Sequence, residues 1–361
     1  MKILFIQKFG FGKPGAADAF FLPLTLAKLG HEITIVVKSE TVVESLLQHG
    51  VQIVHVKSHE NWNISLRHIV ARKNPDIVHV FMHLGCGIYP FWLTASSKPI
   101  FILDIRSPLL RHGFLRQCVR FKNQFEVIGF DVITAHAIES AHTVVGKRHA
   151  IQCVPPGVDF DLLTEQVNTH PWQQSRMLKA VYIGSLDKKR RIMNLLEATI
   201  LASTQTPLLL DIYGTGNDEA EIKQFLEDRK IKTIRLMKLM PRCELFSKLM
   251  QYDIGISYIP SELYDMAPPL KTVEFLACGL PVLATDTIGN RLFVQSQING
   301  LLAKEDPVSF AQGIVDITNA SWLGAARLNA RRSVEQFDWK RIVSEQLLPV
   351  YDDALNKKGN L

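Results

Sequence analysis

Short apolar runs recur along this chain, each separated from the next by room for one helix. That alternation restricts it to an α/β fold with parallel, doubly wound sheets. In the first half, strands are read at 3–7, 32–37, 51–56, 76–81, 99–104, 131–135 and 151–154. Helical patterns at 16–29, 41–49 and 64–73 lie between them, and Gly30 and Gly50 close the first two as C-terminal glycines. The second half repeats the scheme. Strands are read at 180–183, 208–213, 233–237, 253–258 and 282–285, and helices at 194–202, 219–228, 244–250, 270–277, 310–317 and 323–337. The polar stretch 164–174 reads as a linker, so the domains are 1–165 and 175–338, followed by a last helix within 339–358.

A chain of 361 residues has room for two cores. Its net charge of +6 is uneven: residues 1–158 carry 17 Lys and Arg against 10 Asp and Glu, whereas the remainder is close to neutral. A basic half suits nucleic acid, anionic lipid or an acidic substrate. No zinc-finger spacing or ribonucleoprotein motif is present, so nucleic acid is not the expected partner. The five cysteines form no CxxC pair, which argues for a reducing, cytoplasmic setting and against a zinc site. The opening apolar run is too short for a signal peptide or a spanning helix, and no transmembrane segment is expected.

The most informative stretch is 267–286, APPLKTVEFLACGLPVLATD. Pro268 and Pro269 set the entry to a helix, Gly279 ends it, and Pro281 opens a buried strand. Lys271 and Glu274 are three apart and share a side of the helix. A helix N-terminus with a lysine beside it is a site for a diphosphate, and a carboxylate one turn further in suits sugar hydroxyls. A solvated Lys–Glu pair is the plainer alternative.

A second cationic element, Lys188-Lys189-Arg190-Arg191, falls in a strand-to-helix loop, where parallel sheets hold anions. Strand-end residues Asp104 and Arg106 form a further pair, read either as a plain structural ion pair or as one in which Arg106, which stays protonated, orients a hydroxyl or an acidic acceptor while Asp104 accepts a proton or holds Arg106. Residues 10–15, GFGKPG, satisfy GxGxxG, and Glu40 follows strand two. That is the signature of a dinucleotide site, although Pro14 and the absence of a dehydrogenase-type second half count against it. Residues 109–125 mix Arg111, Arg116, Arg120 and Lys122 with Phe114, Leu115, Val119 and Phe121. They read either as a helix on anionic lipid or as a helix packed on the sheet. Asp159-Phe160-Asp161 reads as a turn or helix cap rather than a metal site.

The stretch 267–286 resembles the donor-binding segment of retaining glycosyltransferases of family 4, which have the GT-B fold. Glu274, Ala277, Gly279, Pro281 and Val282 match its second half. Met266 stands where the family has a first glutamate, and Pro269 and Lys271 fit a subgroup with proline-x-lysine. Leu26-to-Glu32, Pro155-to-Asp159, the glycines 214 and 216, and Asn299-Gly300-Leu301-Leu302, taken as a turn, also match, so the resemblance spans nearly the whole chain.

It implies two Rossmann-like domains facing a cleft, with the last helix crossing back to the first. The implied donor is a nucleotide diphosphate sugar, bound by Gly15, Arg190, Arg191, Gly214, Lys271, Thr272 and Glu274. Glu274 would take the ribose, Gly15 would let the backbone approach the phosphate, and the arginines would replace the usual arginine at Ser185. Asp104 and Arg106 would sit by the transferred sugar. No metal or cofactor is implied. The acceptor is a glycan or a lipid-linked molecule, with peripheral contact to the inner membrane face through 109–125. A sugar-nucleotide epimerase, a phosphorylase and a catalytically silent nucleotide-sugar binding protein remain alternatives.

Overall fold

The computed structural model describes residues 1–8, 17–38, 44–109, 113–161, 163, 177–240 and 242–359. The glycine-rich loop with Gly15, Glu40, Arg111 and the polar stretch 164–174 lie outside the described residues. Contacts divide the chain into two compact units, Met1–Gly157 together with Trp339–Leu361, and Val158–Asp338.

The first unit is built on seven strands, β1 (Lys2–Gln7), β2 (Glu32–Val37), β3 (Gln52–His55), β4 (Ile77–Phe81), β5 (Ile100–Ile105), β6 (Val132–Ala135) and β7 (Gln152–Cys153). They pair in parallel in the order β3-β2-β1-β4-β5-β6-β7. The inner strand β1 pairs Leu4 with Thr34 on one side and with Val78 on the other. All six residues of β5 are buried, as expected of a parallel strand covered on both faces. Helix Trp62–Lys73 shows how local sequence sets an end. Asn61 accepts hydrogen bonds from the amides of Asn63 and Ile64, and Asn74 takes the left-handed conformation, φ 44°, at the other end.

The C-terminal segment packs within this same unit. Trp339 stacks on Phe21, with ring centroids 6.1 Å apart, and the Tyr351 hydroxyl lies 2.7 Å from His79 Nδ1. One helix was expected within 339–358. The chain instead runs Trp339–Ile342, a π-helical turn at Val343–Leu347, and Leu348–Gly359.

The second unit has six parallel strands, β8 (Leu178–Ile183), β9 (Leu208–Tyr213), β10 (Ile234–Met237), β11 (Ile254–Ser257), β12 (Val282–Thr285) and β13 (Gly300–Ala303), in the order β10-β9-β8-β11-β12-β13. The segment taken as a turn at 299–302 is the edge strand β13, in register with β12 from Val282–Gly300 to Thr285–Ala303. Gly300 is needed there because a Cβ would collide with the Val282 carbonyl. The helix expected over 323–337 stops at Arg332, and a short 3₁₀ turn, Glu335–Phe337, follows. Gly289 and Asn290 lie in the helical turn Ile288–Arg291, whose N-cap is the Thr287 hydroxyl. At the start of the unit, Asp159 Oδ1 accepts from the Asp161 amide at 3.0 Å, the cap read from the sequence.

Helix Gly113–Glu126 of the first unit packs on helix Ile138–Val145, but its apolar face points outward. Phe114, Leu115, Phe121 and Phe125 are all more than half exposed, while Arg120 turns inward towards Gly146. The carboxylate of Glu126 accepts from the amides of Gly85 and Gly87 at 2.8 and 2.7 Å, tying this helix to the neighbouring segment 85–92. That segment exposes Ile88, Phe91 and Trp92, and Leu84 just before it is exposed as well.

Candidate functional site

In the second sheet the chain leaves β8 for β9 on one side and returns as β11 on the other. A crevice is expected outside the carboxyl ends of the strands at such a reversal. The strand-end loops meet there because glycines let them. A Cβ on Gly214 would collide with the Gly184 carbonyl, and one on Gly216 with the backbone of Leu186. Backbone bonds fix the approach: the Gly184 amide donates to the Tyr213 carbonyl at 3.1 Å and the Leu186 amide to the Thr215 carbonyl at 2.9 Å. Gly214 therefore serves the contact of two loops, whatever else it meets.

Lys271 opens helix Leu270–Ala277 and turns towards this point. Its Nζ lies 3.9 Å from the centroid of the Tyr182 ring, is shielded from solvent, and has no hydrogen-bond partner. The Tyr182 hydroxyl is likewise buried without a partner. Both atoms converge on Gly184: a Cβ there would be 2.8 Å from the hydroxyl and 3.0 Å from Nζ. Burial pushes the Lys271 amine well below its ordinary range, and the Arg190 guanidinium pushes it further the same way. The aromatic face favours the charged form by about 0.5–2 kcal/mol. Desolvating an unpaired ion costs several kcal/mol, roughly, and dominates. Burial also raises the Tyr182 phenol, so it stays protonated.

Arg190 joins this group. Its guanidinium lies 4.2 Å from the Tyr264 ring, and Nε is 3.4 Å from the Ser185 hydroxyl. Arg191 does not. With φ 50° it caps the turn in a left-handed conformation and directs its side chain to Glu262 and, at 3.1 Å, Glu305. Glu274 is buried, 7% exposed, one turn into the Lys271 helix. Thr272 is buried too, and its hydroxyl faces the protein interior, 2.7 Å from Ser257 Oγ and 2.8 Å from Asn290 Oδ1. It locks the helix to β11 and to the turn Ile288–Arg291. Asp265, next to Met266, accepts from the Ile288 amide at 3.1 Å, so its carboxylate caps that turn.

In the first unit, Asp104 and Arg106 are brought together, Nε donating to Oδ2 at 2.8 Å. Asp104 is completely enclosed and also accepts from Thr134 at 3.0 Å. Burial opposes its ionisation, yet Arg106 and His79 hold the carboxyl well below the usual carboxylate range. With Asp104 ionised, His79 donates from Nε2 to it at 3.1 Å, and the Tyr351 hydroxyl lies 2.7 Å from Nδ1. Arg106 further donates from Nη1 to the Val154 carbonyl at 2.7 Å, with Asp18 at 3.8 Å, and its Nη2 has no partner. Burial and Arg106 together lower His136 to about 4, so that imidazole is neutral.

Sequence reading missed Tyr182, Tyr264, Gly184 and His79 as site residues, and the pairing of His79 with Tyr351. Tyr182 and His79 lie within strand patterns and look like any enclosed residue of a parallel sheet. Tyr351 is separated from His79 by 272 positions. Among the described residues no group of three or more His, Cys, Asp or Glu is placed to hold a metal ion.

Comparison with known proteins agrees with the resemblance read from the sequence. The family model described as "Glycosyl transferases group 1" matches residues 178–320, most of the second unit. The GtfA subunit of the UDP-N-acetylglucosamine–peptide N-acetylglucosaminyltransferase of Streptococcus gordonii is 27% identical over 158 residues, 43% of this chain and 29% of that protein. The matched segments cover less than two thirds of the curated relatives' own lengths. A glycosyltransferase structure from Rickettsia africae superposes with TM-score 0.74 at 16% identity, covering 98% of each chain. The Anabaena protein HepE, in complex with UDP and glucose, superposes with TM-score 0.78 at 13% identity, covering 98% of this chain and 100% of that one. The fold is GT-B.

Proposed function

We propose, on the premise that residues 178–320 are a group 1 glycosyl transferase unit, that this protein moves a sugar from a nucleotide diphosphate sugar to an acceptor, with retention of configuration. The observation that carries the reading is the convergence of Lys271, Arg190 and Gly184 at the carboxyl end of β8, with Glu274 one turn away on the same helix. Charge develops on the departing diphosphate in the transition state. Fixed donors aimed at it stabilise that state more than the ground state. Arg190 supplies a permanent charge, and Lys271 and the Tyr182 hydroxyl supply donors that lack protein acceptors. Glu274 would take the ribose hydroxyls. Uridine is the proposed base, because GT-B proteins similar to this chain hold UDP. The proposed transfer relies on these residues rather than on a metal or cofactor.

The first unit would hold the acceptor. Asp104 has no open face and acts by holding Arg106, whose Nη2 is left to orient an acceptor hydroxyl. The outward aromatic face of Gly113–Glu126, continued by Leu84, Ile88, Phe91 and Trp92, would rest on an anionic membrane surface at the cytoplasmic side. Exposed Lys122 and the excess of cations in residues 1–158 match such a surface. Lipid-linked molecules are then the proposed acceptors. Among the described residues no helix is long and apolar enough to cross a membrane.

A thermal-shift panel of nucleotides and nucleotide sugars tests the donor, since a ligand of the native state raises Tm by mass action. Stabilisation by UDP or a UDP-sugar is the expected result, and a panel without any shift would remove the reading. Product analysis with the stabilising sugar nucleotide then separates transfer from the alternatives. Conversion of the donor sugar without any acceptor would point to an epimerase. Release of the sugar to inorganic phosphate would point to a phosphorylase.

A further inference from the structure

We propose that Lys271 is an uncharged amine in the free protein and takes one proton from solvent as the donor diphosphate binds, so that donor binding consumes a proton. The proposal rests on the donor site described above. Its basis is what surrounds Nζ. The atom is shut off from water, has no hydrogen-bond partner, and lies against the Tyr182 ring. From β8 it meets Tyr182, whose phenol is protonated and itself without a partner. From the turn Lys188–Arg190 the charged group acting on it is Arg190, of the same sign, backed by Tyr264 from helix Ser261–Tyr264. Glu274, on its own helix, lies one turn further in. Burial first and then Arg190 act against its charge, and together they outweigh the Tyr182 face.

A diphosphate reverses this balance. It brings negative charge and acceptor oxygens to the spot where the amine and the Tyr182 hydroxyl converge beside Gly184. The amine lone pair then forms a bond to a proton delivered by water or buffer, and the new ammonium pairs with the phosphate. After sugar transfer, loss of the nucleoside diphosphate returns the proton. The residue thus keeps no buried unpaired ion in the free protein and presents a full charge to the leaving group during transfer. By linkage, a group whose affinity for protons rises on binding makes binding weaker as pH rises through the window between its two pKa values.

Calorimetric titration of the whole protein with UDP tests this in two buffers of different ionisation enthalpy, Tris and HEPES. The range is about pH 7.5 to 9.5, where the terminal phosphate of UDP, with a second pKa near 6, is already ionised. The expected result is a buffer-dependent enthalpy equivalent to uptake approaching about one proton per UDP, with affinity falling up to about tenfold per pH unit. Lys271→Met, an apolar replacement suited to the Tyr182 face, should melt cooperatively, bind UDP more weakly and show no buffer dependence. UDP binding by the wild type with the same enthalpy in both buffers would overturn the proposal and leave the donor site standing. Proton uptake surviving in Lys271→Met would also overturn it. Folded protein that does not bind UDP would remove the donor reading and this inference with it.

Discussion

Arg190 and Arg191 are neighbours in sequence but face different partners. Arg190 lies over the Tyr264 ring beside Lys271, whereas Arg191 is turned onto Glu262 and Glu305. The left-handed backbone at Arg191, φ 50°, separates them. The two substitutions should therefore differ. Under the proposed function, Arg190→Ala and Lys271→Ala would each remove a contact to the departing diphosphate and should lower turnover about tenfold or more. Arg191→Ala should cost less than about threefold. Initial rates with the stabilising UDP-sugar measure this, and equal losses at 190 and 191 would contradict the placement.

The Arg191–Glu262 pair is exposed, the arginine side chain by 40% and Glu262 by 52%. Exposed pairs contribute about 0–1 kcal/mol. Urea unfolding of Glu262→Gln should therefore give a change in stability below about 1 kcal/mol, smaller still at high salt.

Thr272 should separate folding from binding. Thr272→Val keeps the shape but removes the hydroxyl that both Ser257 and Asn290 meet in a buried cluster, leaving the Ser257–Asn290 contact of 3.2 Å between them. The expected loss is about 1–3 kcal/mol of stability, with UDP affinity per folded molecule unchanged. A selective loss of UDP affinity without loss of stability would instead place Thr272 in contact with the donor.

His136 gives the protein an acid-sensitive term. Burial and Arg106 lower its imidazole from 6.5 to about 4 in the native state. Between these values the unfolded chain binds a proton that the native state does not. Stability therefore falls as pH drops through this window, by about 3 kcal/mol in all. Asp104 acts further down. Its native carboxyl is held low, so its contribution is complete above the unfolded value, about 3.9, and disappears as pH falls through the native one. Denaturant unfolding at about pH 7 and 4.5 should show a smaller loss in His136→Leu than in the wild type.

The outward face of Gly113–Glu126 predicts lipid binding. Wild-type protein should float with vesicles rich in anionic phospholipid and not with neutral ones. Phe114→Ser combined with Phe121→Ser should abolish recovery without altering the melting temperature, because both side chains are mostly exposed, 81% and 63%. Equal recovery with neutral vesicles would rule out the role of charge.

Much of the fold could be read along the chain, because parallel strands need continuous apolar runs and the helices between them carry their own start and stop signals. β1, β2, β9 and β12 stand where those runs are. β13 was misread because Asn299-Gly300 is turn chemistry in isolation. The glycine is required there by the Val282 backbone, a neighbour from another strand. The helix Gly113–Glu126 shows a similar limit. Its sequence gives an apolar face but not the direction in which that face points.

Residue types and spacing alone determined that cations, glycines and a carboxylate recur at the ends of strands in the second unit, which sufficed to expect an anion site there. Which of them act together was decided by tertiary structure. Lys271 meets Tyr182 across 89 positions of chain, counted from the sequence, while Arg191, adjacent to Arg190, is drawn to other carboxylates. The physical reason is that charge on a side chain is local chemistry, whereas its desolvation and pairing depend on atoms that only the folded chain brings within a few ångströms.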